Sequence, residues 1–237
     1  MNLKNVPLRG LTPETSKARM KITTAEAKAI TQDWQNYFPS LGAYKSLHLM
    51  RRCGPVLVGL CLNRSSSDHI YKPTFHCHCL LRKFPTISLS LAVQLKAPNG
   101  SDAAISTKSH ETKLRDAAAK MRALALLPLD VNFGIDEFDV ACSQWLQQQQ
   151  TPYWPAVMED RILLYAWAGK DYTKALGEAE MALKAWPAFV TDKLGGISSW
   201  MTRVEQVAGN HDALASVLAS EIYAHRVARL PFGDFNT

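Results

Sequence analysis

The sequence predicts an α+β fold: an N-terminal helix packed on an antiparallel sheet of about four strands, followed by an all-α layer of antiparallel helical hairpins. Three observations carry this. Between about 45 and 95, apolar residues sit in short segments that alternate or are bounded by turns; after about 105 they recur at helical spacing. Connections between the strand-like segments are short, which favours antiparallel neighbours. Charge divides along the same line: residues 1–110 hold 15 Lys+Arg against 5 Asp+Glu, and residues 111–237 hold 12 against 16. A net +6 thus separates into a basic part and an acidic part with different surfaces.

Residues 1–22 read as a basic arm, broken by Pro7, Gly10 and Pro13. Residues 23–105 read as the helix plus antiparallel sheet. Residues 106–237 read as a helical-hairpin region packed on that sheet as one compact unit. The chain is long enough to bury a core without disulfides or metals. Five cysteines, at 53, 61, 77, 79 and 142, have no framework spacing and fit reduced thiols. No apolar run reaches the ~20 residues of a membrane span, and the N-terminus lacks a secretion signal, so a cytoplasmic protein with no membrane partner is expected.

The first helix is expected over about 24–38. Thr23 to Glu26 has capping-box spacing, and Ala27, Ile30, Trp34, Tyr37 and Phe38 share one face. Strands follow at 45–52 and 55–63 around the turn Cys53-Gly54-Pro55. The second of these is apolar on both faces and therefore central. A loop from Asn63 to Pro73 leads to a strand at 74–82. A further strand at 86–95 alternates Ile87, Leu89, Leu91, Val93 and Leu95 with smaller or polar residues. The connector 96–108 is rich in turn formers.

Helices are expected from Leu114 through Ala125, then over 136–150, 156–168, 171–186, 197–208 and 211–229, with loops short enough for antiparallel neighbours. Five of the six tryptophans (145, 154, 167, 186, 200) lie here, a large area to bury. Ala168-Gly169 recurs as Ala208-Gly209, and Ala175 and Ala179 recur as Ala215 and Ala219, as in stacked hairpins. Residues 156–189 resemble a tetratricopeptide repeat: Tyr172, Ala175, Ala182, Leu183 and Pro187 hold that family's relative positions after the turn Gly169-Lys170-Asp171. The first helix departs, with Glu159 where the family has an aromatic and Leu163 where it has a small residue. The resemblance implies a peptide- or protein-binding scaffold over about one seventh of the chain.

Phe75-His76-Cys77-His78-Cys79 is the stretch most suggestive of chemistry. On a strand, His76 and His78 share one face, and Cys77 and Cys79 the other, with Phe75 and Leu81. Adjacent strand residues do not converge on one ion, so each pair needs outside ligands, with His48 or His69 for the histidines and Cys61 for the thiols. Buried free cysteine suits a core. His110-Glu111 begins a zinc-helix motif that fails at Leu114, and Glu111-x-Lys113 with Asp102 has nuclease spacing at a helix start, where an acid serves the dipole. Nucleophile elbows and phosphate-cradling glycine loops are absent. Cys53, beside Arg51 and Arg52, is the most exposed thiol expected. No catalytic residue, metal or cofactor is assigned.

The function expected is therefore non-catalytic protein binding. An inhibitor, immunity-type or adaptor protein would use a basic sheet edge and the 63–73 loop to engage an acidic toxin or effector. The binding residues expected are Arg51, Arg52, Arg64, Asp68, His69, Tyr71, Lys72, His76, His78, Arg82 and Lys83. The alternative is nucleic-acid binding or a metal-dependent nuclease, from the basic half with Tyr44, Tyr71 and Phe84 as stacking groups. A metal-dependent enzyme around His76 and His78 is a third class.

Overall fold

The computed structural model describes residues 21–64, 69–148 and 155–236; most of the expected basic arm, 1–22, lies outside them. Helix α1 (Thr24–Tyr37) opens on the capping box. The Glu26 backbone N–H donates to Thr23 Oγ1 at 3.2 Å, and Glu26 Oε2 accepts from the Thr23 backbone at 2.8 Å. Of the expected face, Ala27, Ile30, Trp34 and Phe38 are buried, whereas Tyr37 is exposed.

The sheet runs β1 (Gly42–Lys45), β2 (His48–Cys53), β3 (Val56–Arg64), β4 (Ile70–Cys79), β5 (Ser90–Gln94), all antiparallel in that order. A two-residue strand β6 (Ile105–Ser106) pairs with the start of β4. The expected strand 45–52 is a hairpin instead. Leu47 turns the chain with a left-handed φ of 63°, and its N–H donates to Thr31 Oγ1 of α1 at 2.7 Å. That turn carries no glycine or asparagine; a tertiary hydrogen bond fixes it.

β4 begins at Ile70, so the expected 63–73 loop shrinks to the link between β3 and β4, and Tyr71, Lys72 and Pro73 pair with Arg64, Asn63 and Leu62. The alternation over 86–95 yields only β5. The Ser88 backbone N–H donates to His78 Nδ1 at 3.0 Å rather than to the β4 ladder, and the register slips between Phe75 and Cys77.

The second half supplies α2 (His110–Leu124), a short β7 (Phe133–Gly134), α3 (Ile135–Gln148), α4 (Pro155–Trp167), α5 (Thr173–Lys184), the single turn α6 (Pro187–Phe189), α7 (Ile197–Ala208) and α8 (His211–Ala224). The α4–α5 and α7–α8 pairs stand where the sequence repeat places hairpins. Arg161 of α4 reaches Asp139 of α3 and Glu178 of α5, tying three helices with one buried guanidinium. Trp145 anchors α3 to β5 by donating from Nε1 to the Ala92 carbonyl at 3.2 Å. Trp186, by contrast, is 41% exposed.

One apolar core runs from Ile22 through the first sheet face to α2–α7. Phe75, Cys77, Cys79 and Leu81 all lie in it, which is the strand parity read from the sequence. The opposite sheet face is covered differently. α8 ends at Ala224, Arg226 adopts φ 56°, and Val227 and Leu230 close over Tyr44, Met50, Leu57 and Leu80. The chain then adds β8 (Phe232–Gly233), parallel to β2, and β9 (Phe235–Asn236), beside β7. Gly233 is required there: a Cβ would stand 2.0 Å from Arg51 Nη2 and 2.3 Å from Asn132 Oδ1.

Candidate functional site

The β3–β4 hairpin separates the expected binding residues into two groups, roughly 25–30 Å apart along the strands. At the Cys53–Gly54 end, Arg51 is buried and donates to the Val131 carbonyl at 2.9 Å and to Asn132 Oδ1 at 3.0 Å. Arg52 lies over the Phe232 ring, 4.5 Å from its centroid. Arg82 Nε bonds the buried Asp160 at 2.6 Å; burial outweighs that partner and pushes the Asp160 carboxyl up to about 6. Lys83 is exposed. Cys53 is fully buried, not the exposed thiol expected, and burial raises its pKa despite nearby Arg51. Arg51, His76 and His78 do not reach a surface, so the first group serves mainly the interior.

At the other end stand Arg64, His69, Tyr71 and Lys72, while Asp68 lies outside the described residues. Tyr71 is buried rather than offered for stacking. Its hydroxyl takes a hydrogen bond from Trp34 Nε1 at 3.1 Å and lies 2.7 Å from His110 Nδ1, and His110 Nε2 reaches Asp33 Oδ2 at 3.1 Å. Indole only donates and a carboxylate only accepts, so with a neutral imidazole the protons run one way: Trp34 to Tyr71, Tyr71 to His110, His110 to Asp33. Burial pushes Tyr71 up to about 12. The chain fastens α1 and α2 to β4. Lys72 is paired with Asp102, which Lys96 also holds at 2.7 Å, so the Asp102 of the nuclease spacing is already engaged.

One opening at this end is a groove. One lobe, about 410 Å³, is lined by Ala27, Lys45, His48, Cys61, Asn63 and Arg64 among others. A second, about 290 Å³, lies between α1 and β1 and carries Lys28, Gln32, Gln35 and Lys45. Lys45 and Ser46 line both, so the lobes adjoin. No carboxylate lines either lobe, and among the described residues none pairs with Lys28, Lys45 or Arg64. Sequence reasoning selected Arg64 but passed over Lys28, which a helical wheel places beside Gln32 and Gln35 and off the buried stripe.

Behind the groove, the second sheet face holds buried histidines. His76 is fully buried, and its Nε2 lies 2.7 Å from Nε2 of His48, one of the two histidines named as outside ligands for the pair. Burial lowers His76 to about 3 and His48 to about 4, the charge of Lys45 adding to the latter. His78 is lowered to about 3 by burial and then by His225 and Arg82. Both predicted histidines are thus interlayer and neutral at pH 7. The thiols of Cys77, Cys79 and Cys142 are held well above their ordinary range by burial.

Comparison with protein-family models, curated proteins and solved structures returns no match. None of these comparisons supports the tetratricopeptide resemblance of residues 156–189. Among the described residues, no helix is long and apolar enough to cross a membrane.

Proposed function

We propose that this protein is a binding protein, of inhibitor or adaptor type, that engages an acidic segment of a partner protein in the groove along α1, β1 and the end of β3. The single observation that carries this reading is the lining: Lys28, Lys45 and Arg64 stand on two adjoining hollows that share Lys45, with no carboxylate in either lining. Three cations with no carboxylate partner among the described residues favour encounter with an acidic surface and set its orientation more than they add raw affinity. β1 is the edge of the sheet, and its Tyr44 carbonyl already accepts from Arg229, so the cations rather than the strand edge carry the reading.

The test is affinity purification from the native host with wild-type bait and with a Lys28→Glu/Lys45→Glu/Arg64→Glu bait, read by quantitative mass spectrometry. An acidic protein captured by the first and lost at least tenfold from the second supports the reading. Equal capture by both overturns it. The same variants titrated with labelled DNA and RNA address the alternative: tight oligonucleotide binding that falls steeply with salt and vanishes on charge reversal would make the groove a phosphate site.

A further inference from the structure

The polar groups on the second sheet face are not all accounted for by packing. His78 is 1% exposed, and its Nε2 has no hydrogen-bond partner. Facing it are Glu221 and His225, four residues apart at the end of α8 and hence on one helical face. Glu221 is 5% exposed, with no lysine or arginine in ion-pair range among the described residues. Its partners are His225 Nε2 at 3.1 Å and the backbone N–H of Phe84 at 3.2 Å. One ligand-capable atom from each of His78, Glu221 and His225 lies within 4.8 Å of the other two.

We propose that His78, Glu221 and His225 form a binding site for a divalent transition-metal ion, held through two imidazole nitrogens and one carboxylate oxygen. That donor set suits an ion of intermediate softness such as zinc, and three protein ligands leave one coordination position open. With metal–ligand bonds of about 2.0–2.2 Å, ligand atoms around a tetrahedral ion stand about 3.3 Å apart. The Glu221–His225 separation of 3.1 Å is already near that value. With all three atoms within 4.8 Å of one another, His78 has to close by at most about 1.5 Å. A divalent ion also compensates a buried carboxylate that has no lysine or arginine partner.

Ligation through Nε2 needs each imidazole to carry its proton on Nδ1. At His78 the Ser88 hydroxyl, 2.8 Å from Nδ1, accepts that proton, while the Ser88 backbone N–H that now donates there turns aside. Ser88 lies outside any helix or strand, so the rearrangement breaks one hydrogen bond in a compliant segment. At His225 the Phe84 carbonyl, 3.1 Å from Nε2, gives up its donor. Ser88 is thereby a positioning residue for the site. The bound ion would cross-link α8 to β4 and clamp the C-terminal segment over the sheet, independently of what the groove binds.

The experiment is calorimetric titration of chelator-treated full-length protein with zinc, with cobalt(II) absorption reporting the ligand type. One ion per chain is expected, with a four- or five-coordinate cobalt spectrum and no thiolate charge-transfer band. Glu221→Gln and His225→Ala should weaken binding at least ~100-fold, and Ser88→Ala about 10–100-fold. His48→Ala should leave it unchanged. Zinc at ~100 times its Kd should raise the melting temperature by roughly 5–10 °C. No saturable binding up to ~1 mM zinc overturns the proposal. So does undiminished binding by Glu221→Gln and His225→Ala, or a thiolate band. Circular dichroism of the metal-free variants verifies that they fold, and if one does not, the wild-type cobalt spectrum and Ser88→Ala still decide.

Discussion

Three imidazoles kept neutral on one sheet face make this fold sensitive to mild acid. His76 and His78 have folded-state pKa values of about 3, and His48 about 4, against 6.5 unfolded. The unfolded chain therefore binds protons first as pH falls, so stability is complete above about 6.5 and is lost progressively toward the folded values. Between about pH 7 and pH 5, each fully buried ring costs about 2 kcal/mol. His48 is only partly buried and shares its proton with His76, so about 1 kcal/mol is assigned to it.

Asp160 acts in the opposite sense. Its folded pKa of about 6 lies above the 3.8 of the unfolded carboxyl, so it returns about 1 kcal/mol over the same interval. The net loss is about 4 kcal/mol, a large share of the 5–15 kcal/mol typical of a folded protein. Urea unfolding followed by tryptophan fluorescence at pH 7, 6 and 5, with chelator present, measures it. His78→Gln should reduce the loss by about 2 kcal/mol. A stability at pH 5 within ~1 kcal/mol of that at pH 7 would refute the assignment of neutral buried rings.

Arg161→Met removes the guanidinium between Asp139 and Glu178 and should destabilise by about 3 kcal/mol in urea unfolding, since two partly buried carboxylates lose their partner. Gly233→Ala should cost about 2 kcal/mol or more by the same measurement, because the new Cβ displaces Arg51 from the Val131 carbonyl and Asn132. Thiol alkylation of native protein, mapped by mass spectrometry, should modify Cys61 first. Cys53, Cys77, Cys79 and Cys142 are buried and should react only in denaturant.

Much of the architecture is legible in local patterns. The capping box and stripe give α1, and the two-faced apolar run gives β3. Strand parity alone sends Cys77 and Cys79 into the core and His76 and His78 to the other face. What escapes is set by tertiary contacts. The Ser46–Leu47 turn is fixed by Thr31 of a neighbouring helix, so a continuous strand was the natural reading. Ser88 leaves the β5 ladder because a histidine side chain competes for its N–H. β8 and β9 are two residues each, too short to show a period.

The site divides the same way. The sequence leaves His48 and His69 both open as neighbours of His76 and His78, and the Glu221–His225 spacing is visible on a helical wheel. That α8 sets this pair opposite His78, more than 140 residues earlier in the chain, is a fact of topology. The expected basic edge failed as a single surface because Arg51 and Arg82 satisfy interior partners, whereas Lys28, an unremarked helix lysine, faces the groove. Charge counts locate a basic half; only packing tells which of its cations remain free.

Fluorescence anisotropy with a labelled Asp/Glu-rich peptide at ~50 mM salt tests the groove most directly. Wild-type protein is compared with Lys28→Glu/Lys45→Glu/Arg64→Glu and with a charge-matched control, Lys108→Glu/Lys113→Glu/Lys174→Glu, whose three lysines are exposed elsewhere. The account predicts at least tenfold weaker binding by the groove variant and a change under about twofold in the control. Equal weakening in both would mean that net charge, not this groove, attracts the peptide, and would contradict the account.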